Sequence, residues 1–271
     1  MDDLRKELAP VPGEAWKVVE EEARRVLKLS LAGRKIVDFS GPHGWATSAV
    51  GTGTVERLKK APGNGVEAAL RQVQPLVELV APFELSRADL DDVARGRKDP
   101  DLTPLLEAAK SLARAEDTVI FEGYAAAGIR GLREASPHPT LEISENYQDY
   151  PAVVAEGLRL LREAGVDGPY ALALGPRCYA GLLRSTVGAY PVFELVRRVV
   201  GGPLVWAPYV DGAVLASLRG GDYELVVGRD ISIGYSSHTD SSVRLYLVES
   251  LTFRVHTPEA AVSFVYARDR R

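Results

Sequence analysis

The run GRKIVDFSGPHGW at positions 33–45 crowds Arg34, Lys35, Asp38, Ser40, His43 and Trp45 into thirteen residues, enough polar groups to bind or transform a ligand. Arg34 and Asp38 stand four apart, so pairing with each other competes with any ligand role. The four histidines, His43, His138, His238 and His256, are isolated, and no HxxxH or HExxH pair could hold zinc from one helix face. Loop or strand-end positions are expected for them. Cys178 is the single cysteine, which excludes an intramolecular disulfide and a multi-cysteine metal site and leaves a small packing role. No GxSxG elbow or GxxxxGK[ST] loop occurs, and GTGTVER lacks the last glycine of GxGxxG. The acids of ADLDDVARGRKDPDL are balanced by Arg95, Arg97 and Lys98, as on a solvated surface; a catalytic dyad needs a shared cleft. Tyr147, Tyr150, Tyr170, Tyr179 and Tyr190 could stack a ligand, but core and interface use is the expectation in a chain with 11 tyrosines. No catalytic residue and no metal ligand is expected.

The elements that must position these groups follow from periodicity. Over 14–31, Trp16, Val19, Ala23, Val26, Leu27 and Leu31 recur at spacings of three and four, the stripe of an amphipathic helix. Its acids lie early and its cations late, as the helix dipole favours. Between 50 and 82, Gly51, Gly53, Pro62, Gly63 and Gly65 interrupt β-prone runs, which predicts two extended strands joined by a projecting loop. Such an arm cannot build its own core and needs a partner surface, naturally a second copy of the chain. Asp101 can cap a long helix from 102 to about 123, the candidate spine. A Gly- and Pro-rich crossover precedes alternating helices and strands, an α/β texture, and the tail from Tyr223 reads as strands of period two. GGD at 220–222 predicts a hairpin turn, and Gly41, Pro42 and Gly44 a turn anchored by Trp45.

Composition is that of an ordinary globular chain, 46% apolar and 26% charged over 271 residues. With 33 basic and 37 acidic side chains the formal charge is −4, which gives no basic field for nucleic acid. The acidic start lacks the apolar run of a signal peptide, and no stretch of about 18 apolar residues is present, so a cytoplasmic location without membrane contact is expected.

The order of motifs carries more. ELAP with the EEEARR helix, GRKIVDFSGPHGW, PLVEL, DLDDVARG, EDTVIFEG, GPYALAL, AYP, GGDYELVVGRDISIGY and VRLYLVESLTFRVHTPEA together span almost the whole chain. In this set and order the sequence resembles the encapsulins, the nanocompartment shell proteins once grouped as linocin-type bacteriocins. The resemblance implies an α+β chain of the tailed-phage major-capsid fold. Its peripheral domain would hold 1–49, 83–136 and 221–271, its extended loop 50–82 and its axial domain 137–220.

It also implies a non-catalytic subunit that closes into an icosahedral shell of about sixty copies or more. The enclosed cargo would be a ferritin-like iron-storage protein or a dye-decolorising peroxidase, with the oxidative-stress role that follows, held through a C-terminal targeting peptide. The matching groove residues are Leu27, Leu31, Arg34, Val37, Asp38, Ile231 and Ile233. Apolar pockets would take aliphatic side chains, with Arg34 and Asp38 fixing polar groups. The pore loop would be Ser185, Thr186, Val187, Gly188, Ala189 and Tyr190, small and uncharged between Arg184 and Glu194, so that width sets passage. Where some relatives hold a flavin against a tryptophan, this chain has Ala88, and no cofactor is expected even though Tyr190 remains. The ending YARDRR is unusually basic and expected to be exposed. A bacteriocin- or protease-like enzyme and a viral major capsid protein are the rival readings.

Overall fold

The computed structural model describes residues 3–267, so the basic ending at 268–271 lies outside the described residues. A short 3-10 turn leads into helix α1 (Gly13–Ser30), and a second, Gly33–Lys35, precedes β1 (Asp38–Ser40). Strands β2 (Ala49–Arg57), β3 (Ala69–Pro75) and β4 (Val77–Ser86) follow, then helices α2 (Arg87–Ala94) and α3 (Thr103–Phe121). The crossover holds β5 (Gly123–Tyr124), β6 (Ile129–Arg130), α4 (Leu132–Ala135) and β7 (Leu141–Ile143). Beyond it come α5 (Tyr150–Glu163), β8 (Tyr170–Leu174), α6 (Pro176–Arg184), β9 (Thr186–Val187), β10 (Tyr190–Pro191), α7 (Val192–Val200), β11 (Leu204–Trp206) and β12 (Ala213–Ser217). The chain closes with β13 (Tyr223–His238), β14 (Ser242–Val255) and β15 (Ala261–Tyr266).

Two larger sheets organise these elements. One has the order β1-β13-β14-β4, with β1 parallel to β13 and the other pairs antiparallel. The second has the order β11-β8-β12-β15-β7. In β4, Leu79, Ala81, Phe83 and Leu85 turn inward while Glu78, Val80, Pro82 and Glu84 are exposed, the alternation of a sheet with one buried face. Strand β8 is buried throughout, and β15 over Ala261–Phe264, as suits strands covered on both faces.

Helix α3 is the spine. Asp101 accepts a hydrogen bond from the Thr103 amide at 3.0 Å and so caps its first turn. Its first half, with Leu105, Ala109 and Leu112, packs with α1, α2 and the four-stranded sheet in one core. Its second half, with Val119, Ile120 and Phe121, joins the core around the five-stranded sheet. One helix thus ties both halves together.

Three expectations are corrected. Residues 261–266 sit in the five-stranded sheet between β12 and β7, not with the rest of the tail, because their apolar run fits a strand covered on both sides. The projecting ribbon is β2 with β3; residues 77–82 instead pair with β14 along the edge of the four-stranded sheet, where their alternation buries one face. Gly220 and Gly221, both at positive φ, carry the chain from β12 in one sheet to β13 in the other rather than closing a hairpin. The four histidines occupy loops and strand ends, and Cys178 is fully buried, within 3.4 Å of the Tyr150 hydroxyl.

Candidate functional site

Helix α1 turns one face into its core through Ala15, Val19, Ala23 and Val26. The neighbouring stripe, Leu27 and Leu31, borders a groove of about 530 Å³. The opposite wall is the irregular stretch of β13 at 230–233, where the register against β14 shifts and brings Ile231 and Ile233 to the groove. Residues Leu4 and Lys6 close one end, where the Leu4 carbonyl accepts from the Tyr235 amide at 2.8 Å and Lys6 pairs with Glu20 at 2.6 Å. The lining mixes aliphatic Leu27, Leu31, Ile231 and Ile233 with charged side chains such as Lys28 and Arg34, a chemistry suited to a peptide with apolar side chains and polar groups between them.

Arg34 forms the other end. Its guanidinium binds Glu116 from Nε and from Nη2, the latter at 2.6 Å, reaches Asp230 at 2.8 Å and Glu249 at 3.2 Å. Burial alone would lower its pKa; the hydrogen bonds and charge of Glu116, with Asp230 and Glu249, outweigh this and leave it above the ordinary arginine value. The turn bearing Arg34 is fixed to the spine, since the amides of Ala32 and Gly33 donate to the Asp117 carboxylate at 2.8–3.1 Å. A Cβ on Gly33 would lie 2.4 Å from Ile120 Cδ1, so only glycine lets the turn approach so closely. Burial pushes the Asp117 carboxyl up to about 7, against the lowering effect of those two amides.

The structure gathers Leu27, Leu31, Arg34, Ile231 and Ile233 around one groove and leaves two expected residues out. Val37 packs against the core of the five-stranded sheet. Asp38 accepts from the Gly221 amide at 2.6 Å, so it splints the crossover between sheets rather than facing the groove, and it makes no pair with Arg34. Trp45 is also not an anchor: it is 63% exposed beneath the Arg229 guanidinium, and backbone bonds from His43 and Gly44 to Val227 and Gly228 hold the turn. Gly41, at φ 133°, is required there, because a Cβ would meet the Val227 carbonyl at 2.3 Å. Glu116 and Glu249 went unrecognised in the sequence, although each occupies a core-facing position of its helix or strand, in step with Leu112 and with Leu245, Leu247 and Leu251.

The expected pore loop is a tight, exposed hairpin of β9 and β10 with Gly188 at φ 59°. Its base is held by a Gln148 amide donating to the Thr186 carbonyl and by Val192 N donating to the Ser185 carbonyl. Tyr190 is 67% exposed. Among the described residues no group of three or more His, Cys, Asp or Glu is placed to hold a metal ion.

Residues 1–252 match a family model described as encapsulating protein for peroxidase, and the type 1 encapsulin shell protein of Rhodospirillum rubrum is 52% identical over 97% of this chain and 96% of its own. The chain belongs to the type 1 encapsulin shell-protein family. The encapsulin shell protein of Mycobacterium tuberculosis is 48% identical, covering 97% of this chain and 99% of its own. The virus-like particle of Pyrococcus furiosus superposes with a TM-score of 0.65 at 16% identity, over 91% of this chain and 98% of that one. The capsid of Myoviridae phage XM1 gives 0.54 at 10% identity, over 87% and 90%. The encapsulin chain therefore has the tailed-phage capsid fold anticipated from its motifs.

Proposed function

We propose that this chain assembles with copies of itself into a closed icosahedral compartment, about sixty subunits in the smallest form that symmetry allows, and encloses an enzyme. The observation that carries the reading is the match to encapsulin shell proteins along nearly the whole chain. The cargo is a peroxidase, in keeping with the family description, or a ferritin-like protein, and its C-terminal targeting peptide lies in the groove between α1 and β13. The exposed ribbon of β2 and β3 is the arm that reaches a neighbouring subunit. The subunit acts as a wall rather than as an enzyme, needs no cofactor, and works in the cytoplasm. No helix among the described residues is long and apolar enough to cross a membrane. Negative-stain microscopy with size-exclusion chromatography tests the assembly: closed particles tens of nanometres across are expected, by analogy with the family's shells. A monomer or dimer under several buffers would refute it.

A further inference from the structure

We propose that Glu249 is a proton-operated latch: as a neutral acid it lets Glu116 and Arg34 pair in the core beneath the groove, and on ionisation it drives that junction apart. Glu116 and Glu249 come from different elements, α3 and β14, and both are fully buried. They meet one guanidinium. Glu116 takes the short contacts, from Arg34 Nε at 2.8 and 2.9 Å and from Nη2 at 2.6 Å, whereas Glu249 receives only Nη2 at 3.2 Å on Oε2. Glu249 Oε1 is buried and no N–H or O–H reaches it. Both carboxyls therefore compete for a single guanidinium in a fully buried site, and one cation balances only one of them; the other is buried at lower cost as a neutral acid holding a proton. Glu249, with the weaker claim on Arg34 and an unserved oxygen, is the one that holds it.

Among the described residues, the ion pairs give Glu249 no cation besides Arg34. From the turn at 33–35, Arg34 is already shared three ways, and Lys35 acts on Asp117. From α3 come Glu116 and Asp117, both acidic; from β13 comes Asp230, acidic and partly exposed. From β4, Leu79 stands opposite Glu249 in register, and Glu78 is exposed on the far face beside Arg229, which pairs with Asp3. Burial, then the charge and hydrogen bond of Glu116, push the Glu249 carboxyl well upward, with Arg34 opposing. The sign follows. An acid whose folded-state value is raised binds its proton more tightly folded than unfolded, so stability falls as pH rises from the ordinary glutamate range through the folded value. Because Arg34 and Asp230 also line the groove, ionisation acts on the groove wall as well as on the spine, whatever peptide the groove accepts.

Infrared spectroscopy of shells labelled with ¹³C-glutamate tests this directly. A protonated-glutamate C=O stretch is expected to persist as pH is raised past the range in which exposed glutamates ionise, and to vanish in Glu249→Gln. In Glu116→Gln it should also vanish, because Glu249 then ionises against Arg34 alone. Melting of the shells, followed upward in pH from the ordinary glutamate range, should lose about one proton of slope in Glu249→Gln. Absence of the band from the wild-type protein, which needs no variant to fold, would overturn the latch. So would its persistence in either variant, or a pH–melting profile above the ordinary glutamate range left unchanged in Glu249→Gln.

Discussion

Truncating Arg34 to alanine strands the Glu116 carboxylate in the core without its cation, beside the neutral Glu249, and loss of one partner of a buried ion pair costs about 3–5 kcal/mol. Arg34→Ala is therefore expected to lower the denaturation midpoint sharply, and Arg34→Lys to rescue it only in part, since an ammonium cannot fork between two carboxylates. The groove separates binding from folding more cleanly. Leu27 and Ile231 are only partly buried, so Leu27→Ala with Ile231→Ala should leave shells intact while co-expressed cargo, quantified per particle, drops several-fold. Asp38→Ala should load normally, because its carboxylate faces the Gly221 amide; a loss of loading there would return Asp38 to the site. Asp117 supplies a pH signature of its own. Its carboxyl is raised from 3.8 to about 7, so subunit stability declines as pH rises across that interval, and Asp117→Asn should flatten this part of the melting profile.

At the scale of elements, the ribbon of β2 and β3 is held at its base by Gln74, whose amide donates to Thr252 Oγ1 and the Phe253 carbonyl, each at 3.0 Å. Farther out it presents Val55, Leu58, Val66, Leu70 and Val73, each roughly half exposed or more. Two strands do not bury enough surface to stand alone, and apolar side chains on both faces of the ribbon are left for cover from outside the subunit. Leu70→Asp with Val73→Asp is expected to give a subunit with native far-ultraviolet circular dichroism that fails to close into particles on size exclusion. Particles of normal yield would show that the ribbon is dispensable for assembly. The helices were legible because their apolar stripes are long and regular. The limits of the ribbon were not, since the strand that leaves it, Val77–Ser86, continues the same β-prone composition and is reassigned only by its partner β14.

For the whole molecule, two cores share one helix, and on the proposed assembly the exposed arm would link subunit stability to shell closure. Burying that arm in a shell adds stability by mass action, which makes the melting temperature depend on subunit concentration and on closure. Dissociated subunits should melt below intact shells by scanning calorimetry; equal melting temperatures would mean that the arm contributes nothing across subunits.

The sequence by itself determined the family, the capsid fold, the amphipathic first helix and the spine helix, because those depend on periodicity and on motif order along the chain; the resemblance also pointed to Leu27, Leu31, Arg34, Ile231 and Ile233, which line one groove. Only the tertiary structure decided that Asp38 serves the crossover, that β15 leaves the tail for the other sheet, and that Glu116 and Glu249 converge on Arg34. Each of these depends on which residues, 45 to 215 positions apart, meet across packed elements. Local spacing can set a side chain's face, but the chemistry of a buried charge is set by its neighbours, and those are chosen by the fold.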